Sequence, residues 1–366
     1  MTALPRRVTR REIVDPKTPD PATIAEAARV LLAGGLVVFP TETVYGLGAH
    51  ALDAEAVAAI FDAKERPRTD PLIVHLASTS DLPRVAASVP AAAAALAAAF
   101  WPGPLTLIVP KHEDVPDIVS AGLPSVAVRV PAHPVAHALL AAAKVPVAAP
   151  SANRFSRPSP TLAAHVLADL DGRVDLVLDG GATDIGVEST IVDCTVEPPV
   201  VRRAGGVPIA ALAEIVPAMG EAVGWADAGI AQLAPGQLQK HYAPTAKMTV
   251  FVGSADACVA RVARQVRQLT AGGTRVGVLA PDGSLAALAP DLAARAAAGR
   301  VTVASLGPHD DPGAAARVLF ASLRALDAAG VEVILALGPA RDGLGAAVWD
   351  RLRRAADGRI ITVPGD

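Results

Sequence analysis

The run Phe39-Pro-Thr-Glu-Thr-Val-Tyr-Gly-Leu-Gly48 crowds three hydroxyls (Thr41, Thr43, Tyr45) and one carboxylate (Glu42) ahead of two glycines, Gly46 and Gly48. Hydroxyls donate and accept, the carboxylate accepts, and each glycine lets backbone approach a ligand with no Cβ in the way. The run leaves an apolar strand at residues 36–39. Pro40 fixes φ and removes a donor there, which predicts a strand-end loop, the kind of segment on which function concentrates. A plain polar turn fits the same residues. A second stretch, Lys64-Glu65-Arg66-Pro67-Arg68-Thr69-Asp70-Pro71, joins a helix to the strand 72–75 that ends in His75. Lysine is scarce in this chain, so Lys64, Arg66 and Arg68 together in a proline-bounded loop suit phosphate binding. Cations capping the end of the helix are the other reading. The pattern leaves undecided which face of its strand His75 occupies.

A third loop, residues 150–161, gathers Ser151, Asn153, Arg154, Ser156, Arg157 and Ser159 between prolines. Its hydroxyl, amide and guanidinium groups can wrap an oxyanion, while Thr161 is also suited to cap a helix at 162–170. Further on, Asp179-Gly180-Gly181 closes a strand, Glu188-Ser189-Thr190-Ile191-Val192-Asp193 opens another, and the strand 200–203 runs into Ala204-Gly205-Gly206. None of these motifs pairs an activated serine or cysteine with a histidine, which argues against covalent nucleophilic catalysis. His133 and His137 have the i, i+4 spacing of helical metal ligands, but no third ligand is placed to join them. No protein-held metal is expected. Neither a P-loop nor a G-x-G-x-x-G fingerprint is present.

The elements that must carry these loops can be read from periodicity. At 366 residues the chain is long enough for two or three domains. Helices are expected at 21–32, 54–64, 134–143 and 162–170, with strands at 105–109, 126–130 and 145–149, a mixed α/β pattern over residues 20–215. Residues 216–246 contain several glycines and no long apolar period, which marks a linker or a functional loop. Over 247–366 five strands alternate with four helices, which predicts a smaller parallel Rossmann-like domain. There Gly338 and Gly343 flank Arg341-Asp342, a strand-end ligand loop or an ordinary turn.

Composition bounds the partners. The formal charge of −3 and pI near 6.2, with 3% aromatic residues, argue against a protein that grips or stacks on nucleic acid. Two cysteines, Cys194 and Cys258, suit neither a disulfide framework nor a zinc site, so a reducing, cytoplasmic setting is expected. Residues 85–110 are uncharged, but Pro90, Pro102, Gly103 and Pro104 interrupt them, which fits a buried helix and a turn rather than a membrane span. Arg6, Arg7, Arg10 and Arg11 lack a following apolar core, so residues 1–19 are expected to form a disordered arm and no secretion signal.

Taken in order, P-T-E-T-V-Y-G-L-G, K-x-R-P with P-L-x-x-H, S-A-N, S-P-T, E-S-T-I-V-D and R-x-G-G resemble the YrdC-like domain of the threonylcarbamoyl-AMP synthase family. The likeness spans about residues 20–245. Pro235-Gly236-Gln237 and His241-Tyr242-Ala243-Pro244 resemble the linker of its two-domain members. The resemblance implies a twisted mixed α/β catalytic domain with a concave ligand site, followed by a Rossmann-like parallel α/β domain. It implies an ATP-dependent nucleotidyltransferase that makes L-threonylcarbamoyl-AMP from L-threonine, bicarbonate or CO2 and ATP, releasing pyrophosphate, with Mg2+ accompanying ATP. The product would go to a threonylcarbamoyl transferase complex acting on tRNA, with no stable nucleic-acid binding by this chain itself. By the same resemblance Thr43, His75, Arg129, Ser189 and the backbone of Ala149 surround threonine. Lys64 and Arg66 act in catalysis. Arg66, Asp70, Ser125, Ser151, Ser159, Arg203 and the linker residue Tyr242 line the ATP site. Position 70 is Asp where family members often carry Asn, and Ser156 stands where a glycine is common. Two other classes share the domain or its concave face. Hydrogenase maturation proteins add zinc-finger cysteines, which this chain lacks, and an RNA-binding module calls for more positive charge and aromatic residues.

Overall fold

The computed structural model describes residues 7–221, 230–236 and 239–364. Residues 1–6 of the expected arm and 222–229 and 237–238 of the expected linker lie outside them. The chain divides into two units, residues 1–155 with 159–238, and residues 156–158 with 239–366.

In the first unit the strands are β1 (Arg10–Ile13), β2 (Val37–Pro40), β3 (Tyr45–His50), β4 (Ile73–His75), β5 (Leu105–Pro110) and β6 (Ser125–Arg129). They continue with β7 (Val147–Ala148), β8 (Leu176–Asp179), β9 (Thr190–Asp193), β10 (Val200–Arg203) and β11 (Gly220–Glu221). All join one 11-stranded mixed sheet in the order β1-β8-β2-β3-β7-β4-β6-β5-β9-β10-β11. The helices that brace it have sequence-encoded ends. Asp20 accepts from Thr23 N to start Pro21–Leu32. Asp53 accepts from Glu55 N and Ala56 N to start Ala54–Lys64, which ends at Glu65 in the left-handed region, φ 56°. One face of the sheet packs Leu47, Val74, Leu107, Val128 and Val192 against Val57, Ile60 and Leu96 of the helices. Over β4, β5, β6 and β9 another cluster joins Ile73, Ile108, Ala127 and Ile191, whose cover is Ala234 with partly buried Leu233 from the segment 230–236.

Three expectations change. Tyr45 to Gly48 is not loop: β3 pairs antiparallel with β2, Pro40 opposite Tyr45, so the loop shrinks to residues 41–44. Pro40 is tolerated because it sits at the strand's end, where no ladder donor is needed. Residues 10–13 are not disordered but pair in parallel with β8. Arg11 bonds Asp179, Arg10 bonds Glu26 and Arg7 bonds Asp175. All four residues of β1 are exposed, so no apolar alternation announced it. Thr161 does not cap the helix Ala163–Leu170; Leu162 holds that position without a side-chain bond.

In the second unit β12 (Lys247–Val252), β13 (Val276–Ala280), β14 (Val301–Ser305), β15 (Val333–Leu337) and β16 (Ile360–Thr362) form a 5-stranded sheet in the order β14-β13-β15-β12-β16. Every pairing is parallel, as the alternation of strands and helices predicts. Helices Ala255–Ala271, Asp282–Ala297, Pro312–Ala328 and Gly345–Ala355 connect them. Among the described residues no helix is long and apolar enough to cross a membrane.

Candidate functional site

The ends of β4 and β6 lie side by side, with His75 in register with Arg129. Arg129 is buried at 3% exposure and its three nitrogens face different groups. Nε donates to Gly103 O at 3.1 Å and Nη1 to Thr43 Oγ1 at 3.0 Å. Nη2 lies 2.8 Å from Glu42 Oε1. Thr43 is set in place by Thr41, whose hydroxyl is 2.8 Å from Thr43 Oγ1 and 2.6 Å from Val44 O. Ile185 N and Gly186 N donate to Glu42 O and Thr43 O, fastening the loop from the other side. Both carboxylate oxygens of Glu42 and Arg129 Nη2 are buried without a hydrogen-bond partner, so their contact is an ion pair only, a costly arrangement that a ligand donor would relieve. His75 sits beside this group with Nδ1 3.3 Å from Ile73 O. Burial, reinforced by the Arg129 cation, pushes its imidazole down to about 3. It is neutral at physiological pH, and an uncharged ring suits a site already holding a guanidinium.

Ser189 immediately precedes β9 and lies 2.7 Å, Oγ to Oγ1, from Thr106. Arg203, at the end of β10, donates from Nη2 to Ser189 O at 3.0 Å and Oγ at 3.2 Å, and from Nη1 to Pro235 O at 3.1 Å. The R-x-G-G motif has a steric cause. A Cβ on Gly205 would lie 2.3 Å from Glu188 O and from the Ser189 carbonyl carbon, so only glycine lets the two segments touch. Ser159 donates to Glu188 Oε1, joining the third loop to the same corner. Ala149 is placed by its own N–H, bonded to Ile73 O at 2.9 Å.

Lys64 is buried, and its ammonium bonds Ser151 O and Asn153 O, each at 2.5 Å. Arg66 donates to Asp70 O at 3.0 Å and Pro71 O at 2.8 Å and pairs with the Asp70 carboxylate at 3.0 Å. Both cations therefore turn inward and bind loops together. Burial raises the Asp70 carboxyl, while Arg66, Lys64 and Arg203 act in the opposite direction. Ser125 is buried at the start of β6. Tyr242 belongs to the second unit, where its ring lies 5.5 Å from Phe320 and 5.1 Å from the Arg351 guanidinium.

Sequence reading left four contributors out of the site: Glu42 as the partner of Arg129, Glu188, Thr106 and the carbonyl of Pro235. Glu42 and Glu188 stand inside the quoted motifs, so their chemistry was visible and only their partners were not. His133 accepts from Val135 N at 3.2 Å as the cap of the helix Pro134–Ala143. Among the described residues no three His, Cys, Asp or Glu side chains come together as a metal centre.

Residues 29–205 match the Sua5/YciO/YrdC family, described as telomere recombination, and residues 207–357 match the threonylcarbamoyl-AMP synthase C-terminal domain. The chain is 44% identical over 344 residues to a threonylcarbamoyl-AMP synthase of Pyrococcus abyssi, covering 92% of this chain and 95% of that one. It is 39% identical over 351 residues to the Bacillus subtilis synthase, covering 96% and 97%. The crystal structure of P. abyssi Sua5 complexed with L-threonine superposes with a TM-score of 0.85 at 41% identity, covering 97% of this chain and 99% of that one. Likeness of this extent, across both units, establishes that the chain belongs to the threonylcarbamoyl-AMP synthase family in its two-domain form.

Proposed function

We propose that the chain joins L-threonine, bicarbonate or CO2 and ATP into L-threonylcarbamoyl-AMP with release of pyrophosphate, for N6-threonylcarbamoyladenosine in tRNA. The observation that carries this reading is the buried Arg129 group, in which a guanidinium, the Thr43 hydroxyl, neutral His75 and the ion-paired Glu42 carboxylate, without a hydrogen-bond partner at either oxygen, meet at two strand ends. An α-amino acid is a zwitterion, and an Arg–Glu pair offers one group for each of its charges. The threonine carboxylate takes the Arg129 fork and Glu42 receives the ammonium. The amine, once it has given up a proton, forms an N–C bond to CO2 as a C=O π pair moves onto oxygen, and the nitrogen gives up a second proton to solvent to leave the carbamate. The carbamate oxygen then attacks the α-phosphate, forming an O–P bond as the α–β bridge breaks and pyrophosphate leaves.

No covalent enzyme intermediate is needed, so positioning and charge stabilisation carry the rate. Lys64, Arg66 and Arg203 supply the positive field for the phosphates, with Ser125, Ser151 and Ser159 as hydroxyl or backbone partners. Mg2+ would be held chiefly by the triphosphate, because Asp70, the carboxylate among these cations, is already paired with Arg66. The product is a reactive mixed anhydride whose acceptor would be a tRNA-modifying threonylcarbamoyl transferase complex, in the cytoplasm.

The deciding assay is pyrophosphate release that requires both threonine and bicarbonate. Release independent of threonine, or none with ATP, threonine and bicarbonate all present, removes the proposal.

A further inference from the structure

In the sheet order β14-β13-β15-β12-β16, the chain leaves the carboxyl end of β12 through helix Ala255–Ala271 toward β13. From the neighbouring β15 it leaves through helix Gly345–Ala355 in the opposite direction, toward β16. The two exits diverge and open a crevice between adjacent strand ends, which is where open parallel sheets bind ligands. A cavity of about 270 Å3 lies there, lined by three of the strand-to-helix connections through Gly253, His309 and Arg341, and by Ser284 from the first turn of helix Asp282–Ala297. Its floor includes Phe251 and Leu337, and burial keeps the Cys258 thiol of its wall protonated.

Two glycines shape the crevice. A Cβ on Gly253 would fall 2.4 Å from Val363 O, and one on Gly338 would fall 2.5 Å from the Trp349 ring. Trp349 is locked by its indole N–H, bonded to Pro339 O at 2.8 Å, and the Arg341 guanidinium lies 4.5 Å from its ring centroid. Stacking engages the face of the guanidinium and leaves its N–H edge for an acceptor. Asp256 and Asp342, exposed and adjacent in sequence to lining residues, disfavour a ligand with several negative charges.

We propose that this crevice is a second ligand site, for a phosphomonoester of mononucleotide size. The apolar part lies on Phe251 and Leu337, and the phosphate meets Arg341 beside the first turn of helix Ala255–Ala271. The proposal does not depend on the catalytic reading.

The test titrates the full chain with AMP, and separately with inorganic phosphate, while following the indole 15N–1H signals of its three tryptophans. Trp349 is assigned by the signal lost in Trp349→Phe. The expected result is a saturable shift of the Trp349 signal with AMP, requiring at least tenfold more AMP in Arg341→Ala, and a much weaker response to phosphate. An unmoved Trp349 signal, or the same AMP dependence in Arg341→Ala, overturns the site. Equal affinity for AMP and phosphate overturns the mononucleotide assignment.

Discussion

Arg129 Nη2 and Glu42 Oε1 are 2.8 Å apart with both side chains almost fully buried, so the guanidinium proposed to clamp threonine already holds a carboxylate. Glu42 Oε2, buried and without a hydrogen-bond partner, is the acceptor proposed to receive the substrate ammonium. Replacing Arg129 by Lys keeps the charge and removes the fork. Threonine affinity should fall about tenfold or more, as loss of one charged hydrogen bond costs about 1.5–3 kcal/mol. Calorimetry showing wild-type affinity would take Arg129 out of the threonine site.

Glu42→Gln makes a different prediction. It keeps the shape and removes the charge meant for the ammonium, so discrimination against 2,3-dihydroxybutyrate, which lacks the amine, should weaken by about tenfold. Inhibition constants for that analogue in the two proteins decide the matter. An unchanged ratio to threonine would make Glu42 only a counterion.

His75 sets a pH dependence whose sign is fixed. Its folded pKa of about 3 lies below the ordinary 6.5, so the unfolded chain binds the proton first. Stability from this group is complete above about pH 6.5 and is lost as pH falls toward 3. Between pH 7 and pH 5 the loss is about 2 kcal/mol. Denaturant unfolding of the first unit at the two pH values should show that drop, and His75→Gln should lack this part of it. Equal drops in both proteins would mean that His75 is hydrated.

Much of this was legible in the sequence because two periodicities were clean. Helices Pro21–Leu32, Ala54–Lys64 and Pro134–Ala143 fall where apolar spacing and caps put them, and the second unit's alternation dictates a parallel sheet. What stayed hidden depends on pairing across long separations. Arg11 finds Asp179 and Arg203 finds Pro235 O only once the chain has folded, and no local pattern encodes such contacts. For the same reason the motif carrying Lys64 exposed a cation but not the carbonyls it binds.

Lys64 separates anchoring from capping. A cation that merely complements a helix end contributes about 0.3–1 kcal/mol. Lys64, buried and bonded to Ser151 O and Asn153 O, should destabilise the first unit by more than 2 kcal/mol when changed to Ala, while also suppressing pyrophosphate formation. A change below 1 kcal/mol would restore the capping reading.

The segment 230–236 offers the final test. Ala234, with 0% exposure, packs on Ile73, Ile108, Ala127 and Ile191, Arg203 Nη1 bonds Pro235 O, and Gln232 N bonds Thr69 O at 2.9 Å. These contacts lay the segment over the strands that carry His75 and Arg129, where it can exclude water from a carbamate and a mixed anhydride. Ala234→Asp puts a carboxylate on that apolar patch and should expel the segment, because an unpaired buried charge costs several kcal/mol. Synthesis should fall at least tenfold while the first unit's unfolding transition moves little, since the main core lies on other residues. Full activity in Ala234→Asp would make the segment a tether. Tyr242→Phe completes the comparison: it keeps the ring against Phe320 and removes only the hydroxyl. If Tyr242 serves ATP, its KM for ATP should rise at an unchanged melting temperature; an unchanged KM leaves Tyr242 as core of the second unit alone.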